Sequence, residues 1–303
     1  MARFHGVYPA IVTPLTEDRE IDRDGTHKVV NYLIENGIHG ISALGSTGEC
    51  AGLSKAQRRT YIETVIEAAA GRVTVMSGAN GTVFEDVVAD LKMAGEVGAA
   101  AALTPPPFYY PLSVEAVIDY FEALAEVSPV PIFLYHIPRM TKVPIAIEAV
   151  EKLARHPNIA GLKDSDGNLA YFAEVARVAN EVDDFSAFTG GDSMFYPSLV
   201  VGGHGIIGAG VNAAPAEEVA VYNAFKAGDH QKALKAQHAL NPMLTTYRGG
   251  VFPAGVKATL AARGLCGTTM TRPIPSATPD EVKAVRAHME SLGMLSGQPV
   301  AAD

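Results

Sequence analysis

The side chain with the most chemical reach in this sequence is Lys163, which closes the apolar run Ile159-Ala160-Gly161-Leu162-Lys163. A lysine at the end of a buried strand loses solvation, its ammonium pKa falls, and the free amine becomes a nucleophile for a carbonyl carbon. The same position suits a lysine that marks a strand end and extends its head to water, and the lysine taken alone favours that reading. Tyr135 ends the preceding apolar run, 131–135. A phenol there can carry protons to and from a reacting oxygen, or can simply be a core aromatic with its hydroxyl at the rim. Gly45-Ser46-Thr47-Gly48 is a two-glycine turn. Its successive N–H groups can hold an anion such as a carboxylate, with two hydroxyls as further donors, although a tight connecting turn reads the same way. Tyr109 follows Pro105, Pro106 and Pro107. Prolines stiffen such an arm, which can carry the tyrosine to a neighbouring subunit's site or cement an interface.

These residues need a frame that brings them together. Eight short apolar runs recur at 7–13, 40–44, 73–77, 100–104, 131–135, 159–163, 185–189 and 205–208. They are continuously apolar, as strands of a parallel sheet covered on both faces are. Helix punctuation lies between them. Asp22 caps a helix that Gly37 ends, Ser54 with Gln57 forms a capping box closed by Gly71, and Thr82 with Glu85 repeats the box before Gly98. Thr278-Pro279-Asp280-Glu281 is a box with proline at the first helical position. Strand and helix alternate eight times, so the expected fold is α/β, a (β/α)8 TIM barrel, with an open doubly wound sheet as the main rival. The barrel is expected over residues 1–225 and a C-terminal helical extension over 226–303. In a barrel the site lies at the C-terminal strand ends. There the turn of residues 45–49, the loop 104–111, Tyr135, Lys163 and Asn212 converge.

Composition narrows the partners. A chain of 303 residues, 48% hydrophobic and 19% charged, has a large core, and its net charge of −9 argues against nucleic acid or an anionic membrane as the main partner. Two cysteines, Cys50 and Cys266, imply no disulfide framework, and no secretory leader or membrane span is read, so a cytoplasmic protein is expected. The nine histidines show no H-x-H or H-E-x-x-H spacing, so neither a metal nor a cofactor is expected. Gly203-His204-Gly205-Ile206-Ile207-Gly208 matches a dinucleotide fingerprint literally, but opens a strand instead of following one. Asp164-Ser165-Asp166-Gly167 lacks the spacing of a calcium loop.

Taken in order, GSTGE (45–49), TPPPFYYP (104–111), YHIP (135–138) and GLKDSDG (161–167) resemble the dihydrodipicolinate synthase and N-acetylneuraminate lyase superfamily, over nearly the whole chain. The resemblance implies a class I lyase in which Lys163 forms a Schiff base with a pyruvate-type 2-oxo acid. It implies Tyr135 as general acid and base, Ser46 as a relay hydroxyl, and Tyr109 as an aromatic given by a neighbouring subunit. Thr47 and Gly48 then hold the carboxylate, while Gly191, Asp192 and Ile207 form the wall that meets the rest of the substrate. A homotetramer built from dimers is implied.

Departures bear on the substrate. Arg139 stands one position earlier than the arginine usual in true dihydrodipicolinate synthases, His136 stands where asparagine is usual, and Ala56 where an acidic residue is frequent. GSTGE and FYYP look more like the neuraminate lyase branch, and HPNIAGLKDSDGN more like aldolases for 2-keto-3-deoxy sugar acids and 4-hydroxy-2-oxoglutarate. The expected reaction is retro-aldol cleavage of such an acid to pyruvate and an aldehyde. Alternatives are dehydration of a similar acid, dihydrodipicolinate synthesis, or a non-catalytic relative that only binds ligand.

Overall fold

The computed structural model describes residues 4–247 and 251–295. Strands and helices alternate as β1 (Gly6–Pro9), α1 (Arg23–Glu35), β2 (Gly40–Ala43), α2 (Lys55–Ala69), β3 (Thr74–Gly78), α3 (Phe84–Glu96), β4 (Ala101–Thr104) and α4 (Val114–Val127). The order continues with β5 (Ile132–His136), the short α5 (Pro138–Thr141), α6 (Ile147–Leu153), β6 (Ile159–Asp164), α7 (Leu169–Glu181), β7 (Ser186–Thr189), α8 (Phe195–Val200) and β8 (Gly205–Gly208). Then come α9 (Pro215–Lys226), α10 (His230–Met243), α11 (Ala254–Ala262) and α12 (Pro279–Ser291).

All strands are parallel in one sheet, in the order β1-β8-β7-β6-β5-β4-β3-β2. Ala10 bridges Ser42, and the Ile11 N–H donates to the Ser42 carbonyl at 3.0 Å, so the two ends of the sheet meet as a barrel. The (β/α)8 expectation holds, and the doubly wound rival is excluded. Asn212 fastens the seam between β8 and β1. It is fully buried, its Nδ2 donates to the Ala10 and Ala209 carbonyls at 2.9 Å, and its Oδ1 accepts from the Val12 N–H at 3.3 Å.

The barrel interior is filled below its mouth by rings. Phe4 meets Phe133 edge-on with centroids 5.1 Å apart, Phe133 meets Phe188 at 5.8 Å, and Tyr8 meets Phe188 at 5.4 Å. This aromatic floor packs the barrel interior beneath the C-terminal strand ends. Outside the strands, apolar helix faces form the rest of the core. Leu240, Val256, Leu260 and Met289 from the C-terminal helices share one buried cluster with Val7 and Ile41 of the barrel. These helices are therefore packed on the barrel through apolar area, the main stabilising term of a dry contact. Residues 248–250 and 296–303 of the extension read from sequence lie outside the described residues.

Three capping expectations hold: Asp22 on α1, and the reciprocal boxes Ser54/Gln57 and Thr278/Glu281 on α2 and α12. The Thr82/Glu85 box is a correction. The cap of α3 is Val83, without a side-chain bond, so Thr82 falls one residue before the cap and its hydroxyl is out of register with the free N–H groups. β1 also stops at Pro9, short of the run 7–13, because the chain beyond it crosses to the seam held by Asn212. Among the described residues no helix is long and apolar enough to cross a membrane.

Candidate active site

Strand register sets the centre of the site. In parallel strands β5 and β6, Tyr135 is the partner of Lys163 and His136 the partner of Asp164. Alternation along a strand sends Tyr135 and Lys163 into the barrel and His136 and Asp164 to its outer face. Both inward side chains are buried, and the Lys163 Nζ lies 4.3 Å from the Tyr135 ring centroid. The bland reading of Lys163, a head extended to water, is thereby excluded.

The outward pair backs this centre. The His136 Nδ1 accepts the Ile145 N–H at 3.1 Å, and its ring stacks on Tyr171 with centroids 4.3 Å apart. Burial pushes the His136 imidazole down to about 4, against the pull of Asp166, so the ring is neutral at pH 7. Burial likewise pushes Asp164 up to about 7. His136, noted in the sequence only as a departure, thus serves as a neutral, stacked support behind Tyr135.

The turn after β2 brings Ser46 and Thr47 to the same cavity, a space of about 730 Å3 at the C-terminal strand ends that Tyr135, Lys163, Asp192 and Ile207 also line. Leu44 (φ 56°) and Glu49 (φ 57°) bracket this turn in the left-handed region, which costs a non-glycine residue about 1–2 kcal/mol each. Buried contacts hold it. Glu49 accepts from Lys257 of α11 at 2.5 Å, and from the Thr271 N–H and Oγ1 at 2.7 and 3.0 Å. Lys257 also donates to the Thr269 carbonyl at 2.6 Å. Among the described residues no direct hydrogen bond joins Ser46, Thr47 and Tyr135. Cys50, next to the turn, is buried and its thiol is pushed up to about 11, so it is chemically quiet.

The opposite wall centres on Asp192. Its Oδ1 accepts from the Gly210 N–H at 2.8 Å and its Oδ2 from the Tyr247 hydroxyl at 2.9 Å. Space for it depends on glycine: a Cβ at Gly208 would sit 2.3 Å from Oδ1, and one at Gly210 2.7 Å from the carboxyl carbon. The literal G-x-G-x-x-G is explained by such contacts, since a Cβ at Gly205 would meet the Gly6 carbonyl at 2.1 Å.

Ser46, Thr47, Tyr135, Lys163, Asp192 and Ile207 are thus brought together. Gly48 and Gly191 do not reach the cavity wall: Gly48 packs under the first loop, its carbonyl accepting from Thr13 Oγ1 at 2.7 Å, and Gly190 takes the place on the wall. Tyr109 lies apart, 82% exposed beside Tyr110 and Phe108. Sequence reasoning missed Gly190, Ser165, Tyr247 and Phe252 on the wall. The glycine pair after the seventh run was the available signal for Gly190. Tyr247 and Phe252 belong to the C-terminal extension, where no strand-end rule applies. Arg139, noted as out of place by one position, does line the cavity. Among the described residues no group of three His, Cys, Asp or Glu side chains is placed to hold a metal ion.

The adjacent glycines give a sharp contrast. A Cβ at Gly190 would lie 2.1 Å from Ser165 Oγ and 3.1 Å from Lys163 Cε, whereas one at Gly191 meets nothing closer than 3.6 Å. Gly190→Ala is expected to cost about 1–3 kcal/mol by overpacking. Gly191→Ala should stay within about 0.5 kcal/mol. Equilibrium denaturation of the two variants checks this, and equal losses would refute it.

A closed (β/α)8 barrel thus carries a buried lysine and a tyrosine on adjacent strands at its mouth, an arrangement suited to lysine-centred chemistry. Comparison with known proteins agrees: the profile of the Dihydrodipicolinate synthetase family matches residues 3–292. The chain belongs to this family, whose members are lyases of the class I aldolase superfamily. It is 34% identical over 292 residues to the 4-hydroxy-tetrahydrodipicolinate synthase of Syntrophus aciditrophicus, covering 96% of this chain and 99% of that one. It is 30% identical over 291 residues to an uncharacterized DapA-like lyase of Halobacterium salinarum, covering 96% and 95%. Among solved structures, YagE, a prophage protein of the dihydrodipicolinic acid synthase family from E. coli K12 in complex with pyruvate, superposes with a TM-score of 0.92 at 26% identity, covering 97% of this chain and 100% of that one.

Proposed function

We propose that this chain cleaves a 2-keto-3-deoxy acid to pyruvate and an aldehyde through a Schiff base on Lys163. The observation that carries the reading is the buried Lys163 amine beside the Tyr135 ring, above a closed floor and within one cavity with Ser46 and Thr47. The amine adds to the 2-oxo carbon. Tyr135 protonates the carbinolamine oxygen, which leaves as water, and becomes a phenolate opposite an iminium. The phenolate takes the proton of the C4 hydroxyl. The C3–C4 bond then breaks, its electron pair neutralises the iminium to an enamine, and the aldehyde leaves. Tyr135 returns its proton to C3, and water hydrolyses the new iminium to pyruvate and free Lys163. Donors at Ser46 and Thr47 hold the substrate carboxylate and fix C2 against the amine.

Dehydration of a similar acid starts from the same iminium: a C3 proton leaves to a base instead of the C3–C4 bond breaking, and the resulting enamine, which keeps C4, expels the C4 hydroxyl as water after that oxygen is protonated. A second reading, 4-hydroxy-tetrahydrodipicolinate synthesis, is favoured by the names of the Syntrophus and other relatives and by Arg139 on the cavity wall, available to a second carboxylate. In either case Tyr109, on its exposed aromatic arm, serves a neighbouring subunit of a homotetramer. The test is a panel of 2-keto-3-deoxy acids assayed for pyruvate, with water loss without cleavage and condensation of pyruvate with aspartate semialdehyde measured in parallel. Pyruvate release from the panel supports the aldolase. Condensation alone replaces it with the synthase.

A further inference from the structure

Next to Asp192, and not itself on the cavity wall, stands a second acid that the mechanism does not use. Glu218 lies in the first turn of α9, is wholly buried, and neither of its carboxyl oxygens meets a donor among the described residues. The group it faces is the Asp192 carboxylate. We propose that Glu218 is a positioning residue for the distal half of the substrate: it donates a shared proton to Asp192 and so fixes that carboxylate as the acceptor for a substrate hydroxyl.

Two carboxyls facing each other in a dry site cannot both ionise, so one proton stays between them. The ionised partner is Asp192, which takes two donors, the Gly210 N–H and the Tyr247 hydroxyl, whereas Glu218 takes none. Burial holds the Glu218 carboxyl well above the usual carboxylate range, and Asp192 and Glu217 add to that by like charge. Asp192 is itself raised by burial, against the pull of Tyr247. Among the described residues, the titratable groups that act on the pair include Tyr247 and Glu217. A carboxylate has about four acceptor positions. Among the described residues the Gly210 N–H, the Tyr247 hydroxyl and the Glu218 proton take three, which leaves acceptor capacity toward the cavity that Asp192 lines. An oriented acceptor with a retained negative charge fits a hydroxyl-bearing aldehyde half and repels a second carboxylate at this wall. The inference rests on the proposed Schiff-base reading for its substrate, but not for the proton.

The sign of its pH dependence follows. Acids with raised pKa keep the proton at low and neutral pH and lose it as pH rises. Loss removes the Glu218 donor and places a second charge next to Asp192. In the wild type, KM for a hydroxylated 2-oxo acid should rise toward tenfold per pH unit above the pair's ionisation. Glu218→Gln keeps an N–H donor but cannot ionise, so its neutral KM should be kept and its alkaline rise abolished. Adduct formation with pyruvate, which has no distal half, should be equal in both proteins. Infrared difference spectra should show a buried protonated carboxyl at neutral pH that Glu218→Gln removes. An unchanged alkaline rise in the variant, no such carboxyl, or an equal loss of pyruvate trapping would each overturn the proposal. If the wild type cleaves no hydroxylated 2-oxo acid, the proposed function fails, and the infrared measurement alone decides the proton.

Discussion

Replacing Lys163 with alanine is expected to abolish borohydride-trapped adduct formation with pyruvate while leaving the fold intact. The amine is the only group in the proposed path that becomes covalently bound. Its loss should lower turnover by roughly four orders of magnitude or more, as removal of a covalent nucleophile does elsewhere. Lys163→Arg should be equally inactive, because a guanidinium keeps its proton and cannot add to a ketone. The fold should survive, since Lys163 is buried beside an aromatic ring, and deleting it leaves space at an already open cavity. Mass spectrometry of the wild type after borohydride should place the reduced adduct on the peptide holding Lys163. An adduct of undiminished yield in Lys163→Ala would end the Schiff-base assignment.

The second large effect is on stability. Lys257 and Glu49 form an ion pair with side chains 1% and 0% exposed. Lys257→Met removes the cation and, among the described residues, leaves a buried carboxylate with only the Thr271 donors, which is expected to cost about 3–5 kcal/mol. Replacing both residues, as Glu49→Gln with Lys257→Met, should recover much of this loss, because a matched neutral pair carries no unpaired charge. Denaturant unfolding of the two single variants and the double variant measures the coupling. Additive losses would show that the pair contributes no specific interaction. The consequence reaches the site: Glu49 is three residues from Ser46, in a left-handed conformation that these bonds hold. Trapping with pyruvate should therefore slow in Lys257→Met even where the protein is folded.

Much of this arrangement was legible in the chain. Continuous apolar runs separated by capped helices signal buried parallel strands, because a strand covered on both faces needs no polar alternation. The barrel then follows, and with it the strand ends at which Lys163, Tyr135, Ser46, Thr47 and Asp192 converge. Lys163 and Tyr135 were legible because each closes an apolar run, and Ser46 and Thr47 because they follow one directly, whereas Asp192 was read only from the family resemblance. Thr82 was misread because a capping pattern shifted by one residue looks the same in sequence, while hydrogen bonding depends on the turn's true start. Gly191 was named instead of Gly190 for a similar reason. Either glycine fits the motif, and only the positions of the Ser165 and Lys163 side chains tell them apart.

What the sequence by itself determined is periodic and local: strands, helices, most caps, and the ordered motifs that mark the family. Only the tertiary structure decided which distant groups share a dry space. Lys257 stands 208 residues from the Glu49 it neutralises, and Asn212 about as far from the Ala10 carbonyl it holds. Glu218 sits in the first turn of α9, and no residue near it in sequence signals the Asp192 carboxylate that it faces. The physical reason is that a buried polar group must be satisfied by whatever the fold brings within about 3 Å, and sequence spacing carries no record of that distance.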